Sequence, residues 1–320
     1  MRNSKKQVIL AISFCLLTLL CVWILNYLLV PYSSLDKKFD AYRRAEAKGN
    51  IDVLVVGSSL EGDGVDPKVL GNELGLHTFT FAPQGGYPQS SYDLLLLTAK
   101  RNKLKAVVVG WDLLQNHQSP AYVYPHEEEI YRSLLPYTNN KPLLLQILAG
   151  IARQRYTNSF FTYASFPENA TKIPEVRASW KPAPPKASYT GPGIDVRHLL
   201  DKKDPYNYRQ ATGRSYVSEP QASDIAYLKR IKQLCDEQQI KLYLLLCPLP
   251  QVSIDGIPMV HELVDATESM AKGLDIPLIN GFDFPDATNN SHFKDCFGHL
   301  LSPYREFYSR QIGSIIKQSL

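Results

Sequence analysis

The sequence predicts an α/β protein with a three-layer, doubly wound parallel sheet, a long insertion and an N-terminal transmembrane helix. Three observations predict this class. A charge-free apolar segment lies near the N-terminus, short apolar runs alternate with longer helical patterns after it, and residues 116–219 interrupt the alternation. The predicted division is a transmembrane signal anchor at 1–31, a juxtamembrane helix or linker at 32–50, and the α/β domain at 51–320.

Composition excludes several classes of protein. The chain has 320 residues, of which 44% are hydrophobic and 21% charged, values typical of a globular protein. The net charge of +4 is spread along the chain without a long basic stripe, so nucleic acid is not an expected partner. The five cysteines show no spacing typical of zinc, and neither a metal nor a cofactor is expected.

The first element is a predicted membrane helix at 8–30. These residues include no charge, and a helix of this length spans roughly 34 Å, enough to cross a bilayer. No cleavage site of small residues follows, which favours an uncleaved signal anchor. Basic residues precede and follow the segment, so charge alone does not fix its orientation.

A short amphipathic helix is expected directly after the anchor. Basic and acidic residues alternate there with Leu35, Phe39 and Tyr42. Two interpretations are open. The helix lies on the bilayer with these three side chains inward, or it is a solvated linker.

The α/β domain is predicted from five apolar runs that read as buried parallel strands, because they are nearly continuous rather than alternating. The runs are 53–56, 78–81, 106–109, 241–246 and 277–279. Helical spacing of apolar residues at 90–101 and 222–238, and a C-terminal helix from near Pro303, would cover the sheet. In open α/β sheets the ligand crevice lies beyond the carboxyl ends of the strands, where Ser59, Gly85, Asp112 and Pro248 fall.

The insertion at about 116–219 carries clustered prolines and a helical pattern at 142–155. A long insertion in a compact domain predicts a lid or a substrate groove, with irregular surface structure as the alternative. Its aromatic rings are suited either to stacking on sugars or to forming the core of the insertion. They are Tyr122, Tyr124, Tyr131, Tyr137, Tyr156, Phe160, Phe161 and Tyr163.

Two short segments near opposite ends of the chain indicate serine chemistry. The first apolar run leads directly into Gly57-Ser58-Ser59, which places a serine hydroxyl at a strand's carboxyl end. Asp295 and His299 stand just before the C-terminal helix, and a histidine with a carboxylate behind it supplies the base that a serine lacks.

These segments resemble the SGNH hydrolases, also called the GDSL esterase and acyltransferase superfamily. Residues 57–59 stand at the family's Gly-Asp-Ser block, 82–86 at its second block, and Asp295 with His299 at its Asp-x-x-His-Leu block. The continuation at 64–67 is similar to the membrane-anchored branch, which includes teichoic acid D-alanylation proteins and polysaccharide O-acetylation proteins.

The resemblance implies an SGNH or flavodoxin-like fold and a role for each site residue. Ser59 would be the nucleophile, His299 the base and Asp295 its orienting carboxylate. The oxyanion hole would be formed by the backbone amide of Ser59 with that of Gly85 or Gly86, a choice that the sequence leaves open.

Two departures from the family pattern leave alternatives for the roles. Three residues separate Asp295 from His299 where the family has two, so Asp283 or Asp286 is an alternative orienting carboxylate. Gly110-Trp111-Asp112 stands where the family has Gly-x-Asn-Asp, and Asn116 is the candidate for the missing side-chain amide.

Two neighbours are rivals for the leading assignments. His292 is a rival for the base and Ser58 for the nucleophile.

The implied function is a membrane-anchored, serine-dependent esterase or O-acyltransferase that acts on a cell-envelope glycan or polymer through an acyl-serine intermediate. Its soluble domain would be extracytoplasmic, and its expected partners are the lipid bilayer, the polymer and a multi-pass membrane acyltransferase. One alternative is a catalytically degenerate binding or scaffold protein of such a system. A nucleotide-binding domain is disfavoured because 57–62 has neither the lysine of a P-loop nor GxGxxG spacing.

Overall fold

The computed structural model describes residues 2–29, 34–48, 51–118, 171–179 and 213–320. Two compact units divide the chain, one formed by 1–37 with 131–187 and the other by 38–130 with 188–320. Most of the predicted insertion, including its aromatic residues and the helical pattern at 142–155, lies outside the described residues. The described helices are α1 (Arg2–Leu29), α2 (Ser34–Lys48), α3 (Ser59–Gly64), α4 (Pro67–Leu74), α5 (Pro88–Ala99), α6 (Leu113–Asn116), α7 (Ile173–Ser179), α8 (Ala222–Gln238), α9 (Gln251–Gly256), α10 (Val260–Gly273) and α11 (Ser302–Lys317).

The first unit contains α1 and α7, which contact each other. Within α1, the segment Lys5–Leu25 is long and apolar enough to cross a membrane, with a mean hydropathy of 2.9, and none of it is buried. The helix thus has the properties that the sequence predicts for a membrane anchor.

The second unit is built on a five-stranded sheet with the order β2-β1-β3-β4-β5. Every neighbouring pair of strands is parallel. The strands are β1 (Val53–Val56), β2 (Thr78–Phe81), β3 (Ala106–Trp111), β4 (Lys241–Leu246) and β5 (Leu278–Asn280). This order is one of the two common doubly wound arrangements, so the predicted α/β fold class is confirmed.

Helices cover both faces of the sheet. Alternate strand residues such as Val55 and Val108 pack in one core cluster with Leu70 of α4 and with Tyr308 and Ile312 of α11. On the other face α5 and α8 pack against each other and against the central strands. Because both faces are covered, the central strands are apolar at nearly every position.

The strand predictions are accurate in position and partly wrong in burial. β3 extends two residues beyond the predicted end, and β5 lies one residue later than predicted. The prediction that every strand is buried is wrong for β2 and β5. These strands form the two edges of the sheet, and most of their residues are partly exposed.

Helix α2 packs against the sheet through two aromatic rings. Phe39 and Tyr42 are fully buried, and each packs on Phe81 of β2, with ring centroids 4.7 and 5.2 Å away. Tyr42 also contacts Phe79. The bilayer-facing and the solvated interpretations are therefore both wrong for these two residues, because the edge strand offers an aromatic surface that covers them.

Candidate active site

A tight turn follows the carboxyl end of β1, and the two adjacent serines in it have side chains in different environments. Ser58 is buried and caps α3: its hydroxyl accepts from Leu60 N–H at 3.2 Å and donates to Asp112 Oδ2 at 3.4 Å. Ser59 is the first residue of α3 and is partly exposed at the carboxyl end of the sheet. The turn therefore turns Ser58 inward and leaves the Ser59 hydroxyl accessible.

His299 bridges Ser59 and a carboxylate. His299 Nε2 lies 2.7 Å from Ser59 Oγ, and its Nδ1 lies 2.7 Å from Asp295 Oδ2. The side chains of His299 and Asp295 are 18% and 19% exposed, so the pair is largely shielded from water. The structure thus brings the three residues singled out in the sequence into one hydrogen-bonded series.

The loop from Phe293 to Leu300 explains how Asp295 reaches His299 across three intervening residues. An isolated antiparallel bridge joins Phe293 to Leu300 and closes the loop. Inside it, Asp295 Oδ1 accepts the N–H groups of Phe297 at 3.0 Å and of His299 at 3.3 Å, so the loop wraps around its own carboxylate. Gly298 absorbs the extra residue with a φ of +101°, a conformation that suits glycine.

The rival residues lie in other contacts. The Asp283 carboxylate accepts a hydrogen bond from the Asn280 side chain at 3.5 Å. Asp286 has a φ of +54°, and its charge raises the pKa of Tyr304. His292 stacks on the Tyr304 ring, with centroids 4.0 Å apart. The carboxylate that contacts His299 is therefore that of Asp295.

The His299 and Asp295 pair is electrostatically coupled. Burial alone lowers the pKa of His299, but the charge and the hydrogen bond of Asp295 outweigh burial and raise that pKa above its usual value. Burial likewise raises the pKa of Asp295, whereas the His299 charge and the hydrogen bonds to its carboxylate lower it overall. Both shifts favour an aspartate that stabilises a protonated imidazole.

The glycine turn after β2 packs closely against the turn that carries Ser59. Gly85 has a φ of +63°, and Gly86 N–H donates to Pro83 O at 3.1 Å. A Cβ on Gly86 would lie 2.0 Å from Gly57 O, so only glycine permits this approach. Gln115 Nε2 donates to Gly86 O at 2.8 Å and supports the turn from the end of β3.

The side-chain amide expected at the end of β3 is replaced by a carboxyl. Asn116, the sequence candidate for the amide, instead donates to Asp224 Oδ2 at 2.8 Å in a buried pair. Asp112 caps α6 by accepting Gln115 N–H at 3.0 Å and is partly exposed. Burial raises the pKa of Asp112, against the opposing effects of its hydrogen bond to Gln115 and the charge of His299.

The sequence analysis missed three charged side chains, of which two act on the pKa of His299. Lys38 donates to Ala82 O, and Lys294 forms an ion pair with Asp63. Burial lowers the pKa of Lys38 to about 8, with Asp63 opposing that effect. The Lys294 and Asp63 charges act on the pKa of His299 with opposite signs, so their pairing limits their net effect on the base.

Metal binding has no support in the described part of the chain. Within the described ranges, no group of three or more His, Cys, Asp and Glu side chains is arranged to hold a metal ion.

Comparison with known proteins gives structural neighbours only. No protein-family model and no curated protein matches the chain. Solved structures similar to it include a lipase/acylhydrolase from Enterococcus faecalis, at 9% identity over 84% of this chain and 97% of that one, with a TM-score of 0.41. A GDSL-like lipase from Bacteroides thetaiotaomicron matches at 10% identity over 89% and 100%, with a TM-score of 0.43. The native aryl esterase of M. smegmatis matches at 12% identity over 84% and 97%, with a TM-score of 0.34.

Proposed function

We propose that this chain is a membrane-anchored serine esterase or O-acyltransferase that works through an acyl-Ser59 intermediate. The observation that carries the proposal is the unbroken series from Ser59 Oγ through the His299 ring to Asp295 Oδ2, with both contacts at 2.7 Å. A serine hydroxyl needs a neighbouring base to become a nucleophile, and the base needs a partner that fixes its tautomer. The three side chains have the geometry for these roles.

The first half of the reaction acylates Ser59. As Ser59 Oγ attacks an ester carbonyl, His299 Nε2 takes the hydroxyl proton, and Asp295 stabilises the imidazolium through Nδ1. The negative charge on the carbonyl oxygen would be held by Ser59 N–H, which belongs to the first turn of α3, and by the amide of Gly85. The amide of Gly86, the other candidate, already donates to Pro83 O at 3.1 Å. Collapse of the tetrahedral species breaks the ester bond, and His299 gives its proton to the leaving alcohol.

The second half removes the acyl group by the same route. An acceptor hydroxyl or water loses its proton to His299 as it attacks the acyl-serine carbonyl, and Ser59 leaves as it regains a proton. A sugar hydroxyl as acceptor makes the protein an O-acyltransferase, and water makes it an esterase. The chemistry of Ser59 is the same in both.

The proposed substrate is an acylated or acyl-accepting polymer of the cell envelope. The apolar helix α1 supports a protein held at a membrane, where such polymers are made. The resemblance to the membrane-anchored SGNH branch motivates the finer parts of the proposal. These are an extracytoplasmic domain, a glycan or envelope polymer as acceptor and a multi-pass membrane acyltransferase as acyl donor.

A scaffold role is the second candidate, and one observation favours it. The end of β3 presents the Asp112 carboxyl where the family pattern has an asparagine amide, and Asn116 is committed to Asp224. An ionised carboxyl near the oxyanion would oppose the chemistry, so a protein with this feature can keep the fold and bind a partner without catalysis.

Covalent labelling of Ser59 tests the proposal against the scaffold role. The full chain in detergent is expected to gain one fluorophosphonate adduct per molecule by intact mass, because His299 activates the Ser59 hydroxyl. Ser59→Ala is expected to remove the adduct, while Ser58→Ala keeps it. Folded wild-type protein that gains no adduct would leave the scaffold role, and an adduct lost with Ser58→Ala alone would reassign the nucleophile.

A charge substitution in α1 tests the membrane anchor. Replacing Leu16 and Leu17 together by lysine is expected to move the full chain from alkali-washed membranes to the soluble fraction, since each lysine at a helix centre costs about 3 kcal/mol of insertion. The matched variant with alanine at both positions is expected to stay in the membrane fraction.

The side of the membrane is tested separately with protease. Protease added outside intact cells is expected to digest the domain, and full protection would place it on the cytoplasmic side.

A further inference from the structure

A buried carboxyl lies directly behind the candidate nucleophile. Glu61 is 0% exposed and occupies the first turn of α3, from which its side chain folds back toward the start of the helix. Its Oε2 accepts Ser58 N–H at 2.7 Å, and its Oε1 accepts the Cys247 thiol at 3.2 Å. The short loop closed by the Ser58 contact contains Ser59.

Two glycines leave the space that this carboxyl fills. A Cβ on Gly57, after β1, would lie 2.2 Å from Glu61 Oε2, and a Cβ on Gly110, within β3, would lie 1.8 Å from Glu61 Cδ. Any other residue at either position would collide with the carboxyl. Burial of a carboxyl lowers the free energy of unfolding, whereas burial of a leucine or methionine would raise it. The glycines in the two strands therefore accommodate a group that does not itself stabilise the fold.

The surroundings of Glu61 favour its neutral form. The titratable groups that face it are Asp112 from the end of β3, Cys247 from the end of β4 and Tyr308 from α11, and none of these is a cation. Burial raises the pKa of Glu61 to about 7, the Asp112 charge adds to that rise, and the hydrogen bonds from Cys247 and Ser58 oppose it. Titratable groups with shifted pKa values concentrate at functional sites.

We propose that Glu61 is a positioning residue for Ser59, because its carboxyl holds the Ser58 amide and so fixes the turn that points Ser59 Oγ at His299. The inference rests on the proposed function, since the direction of Ser59 Oγ affects a rate only if Ser59 is the nucleophile. The contact between Ser59 Oγ and His299 Nε2 is already at 2.7 Å, and displacement of a reacting atom by about 1 Å costs on the order of 100-fold in rate.

The test compares two side chains of equal length at position 61 in the full chain. Glu61→Gln keeps an oxygen that accepts Ser58 N–H, and Glu61→Met fills similar space without an acceptor. The rate of fluorophosphonate labelling at saturating probe is measured for each, together with the unfolding temperature. The glutamine variant is expected to label within about threefold of wild type, and the methionine variant at least about tenfold more slowly per folded molecule. Glu237→Gln, an exposed change on α8, is the control.

The outcomes separate positioning from a structural role. Equal labelling rates for the folded methionine, glutamine and wild-type proteins would overturn the inference, even if the methionine variant unfolds at a lower temperature. If the methionine variant does not fold, Glu61→Asp replaces it, because its shorter side chain withdraws the carboxyl from Ser58 N–H. The aspartate variant is expected to label at least about fivefold more slowly, and labelling at the wild-type rate would overturn the inference. If the folded wild-type protein does not label, the result contradicts the proposed function and not the role of Glu61.

Discussion

Replacing His299 with alanine is expected to slow the acylation of Ser59 by about 1,000-fold to 10,000-fold, the largest effect of any single change away from Ser59 itself. The imidazole is 2.7 Å from the hydroxyl that it would deprotonate, and the deletion leaves Ser59 without a base. Asp295→Asn is expected to have an effect of similar order, since an amide opposite Nδ1 allows the wrong imidazole tautomer. The measurement is the second-order rate constant of fluorophosphonate labelling.

The pH dependence of the same rate adds an independent check. Only a neutral His299 accepts the proton, so the rate is expected to be low in acid and to rise as the pH passes through the His299 pKa. Burial lowers that pKa and Asp295 raises it by more, so the rise is expected above the usual range for histidine. Asp295→Asn removes the raising effect and is expected to move the rise to lower pH.

His292→Ala provides the matched control. His292 stacks on Tyr304 instead of contacting Ser59, so the labelling rate of this variant is expected to stay near that of wild type. Loss of labelling in His292→Ala with labelling retained in His299→Ala would exchange the two assignments.

The strands could be predicted from sequence because buried parallel strands leave a local signature. A run such as Val53–Val56 is apolar at every position because helices cover both of its faces. The burial of β2 and β5 was predicted wrongly because the place of a strand in the sheet is set by long-range pairing. The contacts of α2 were missed for a similar reason, since the rings that cover Phe39 and Tyr42 lie about forty residues away in the sequence.

Residue spacing was a poor guide to the partner of His299. Counting residues raised Asp283 and Asp286 as alternatives, because the gap between Asp295 and His299 is longer than in the family pattern. The backbone resolves this with a closed loop and a positive φ at Gly298, neither of which a count of residues can show. The glycine itself was the available signal, because it allows a conformation that other residues avoid.

Glu61 was also within reach of sequence reasoning. Ser58-Ser59-Leu60-Glu61 has the spacing of a capping box, in which a glutamate side chain returns to the backbone N–H of the capping serine. Gly110 interrupts the apolar run of β3, and a glycine inside a strand often marks a close approach by another group. What the sequence could not show is that both features concern the same carboxyl, because that depends on the pairing of β1 with β3.

Glu61→Gln is expected to stabilise the protein at pH 8 and to leave its stability nearly unchanged at pH 4.5. The ordinary pKa of this carboxyl is 4.5, and burial raises it to about 7 in the folded protein. Between these two values the folded state holds a proton that the unfolded state has lost, so the stability of wild type falls as the pH rises through this window. Glutamine does not titrate, so the stability of the variant does not fall through this pH window. The gain relative to wild type is expected to reach about 3 kcal/mol above pH 7.

The measurement is the unfolding midpoint in guanidinium chloride at a series of pH values, taken as the difference between variant and wild type. The difference removes the titration of the groups that do not interact with Glu61. Glu237→Gln on the exposed face of α8 is expected to show a difference that does not change with pH. A constant difference for Glu61→Gln would mean that Glu61 has the same pKa in the folded and unfolded states. The hydrogen bonds that its carboxyl accepts from Ser58 and Cys247 would then fully offset the effect of burial on its pKa.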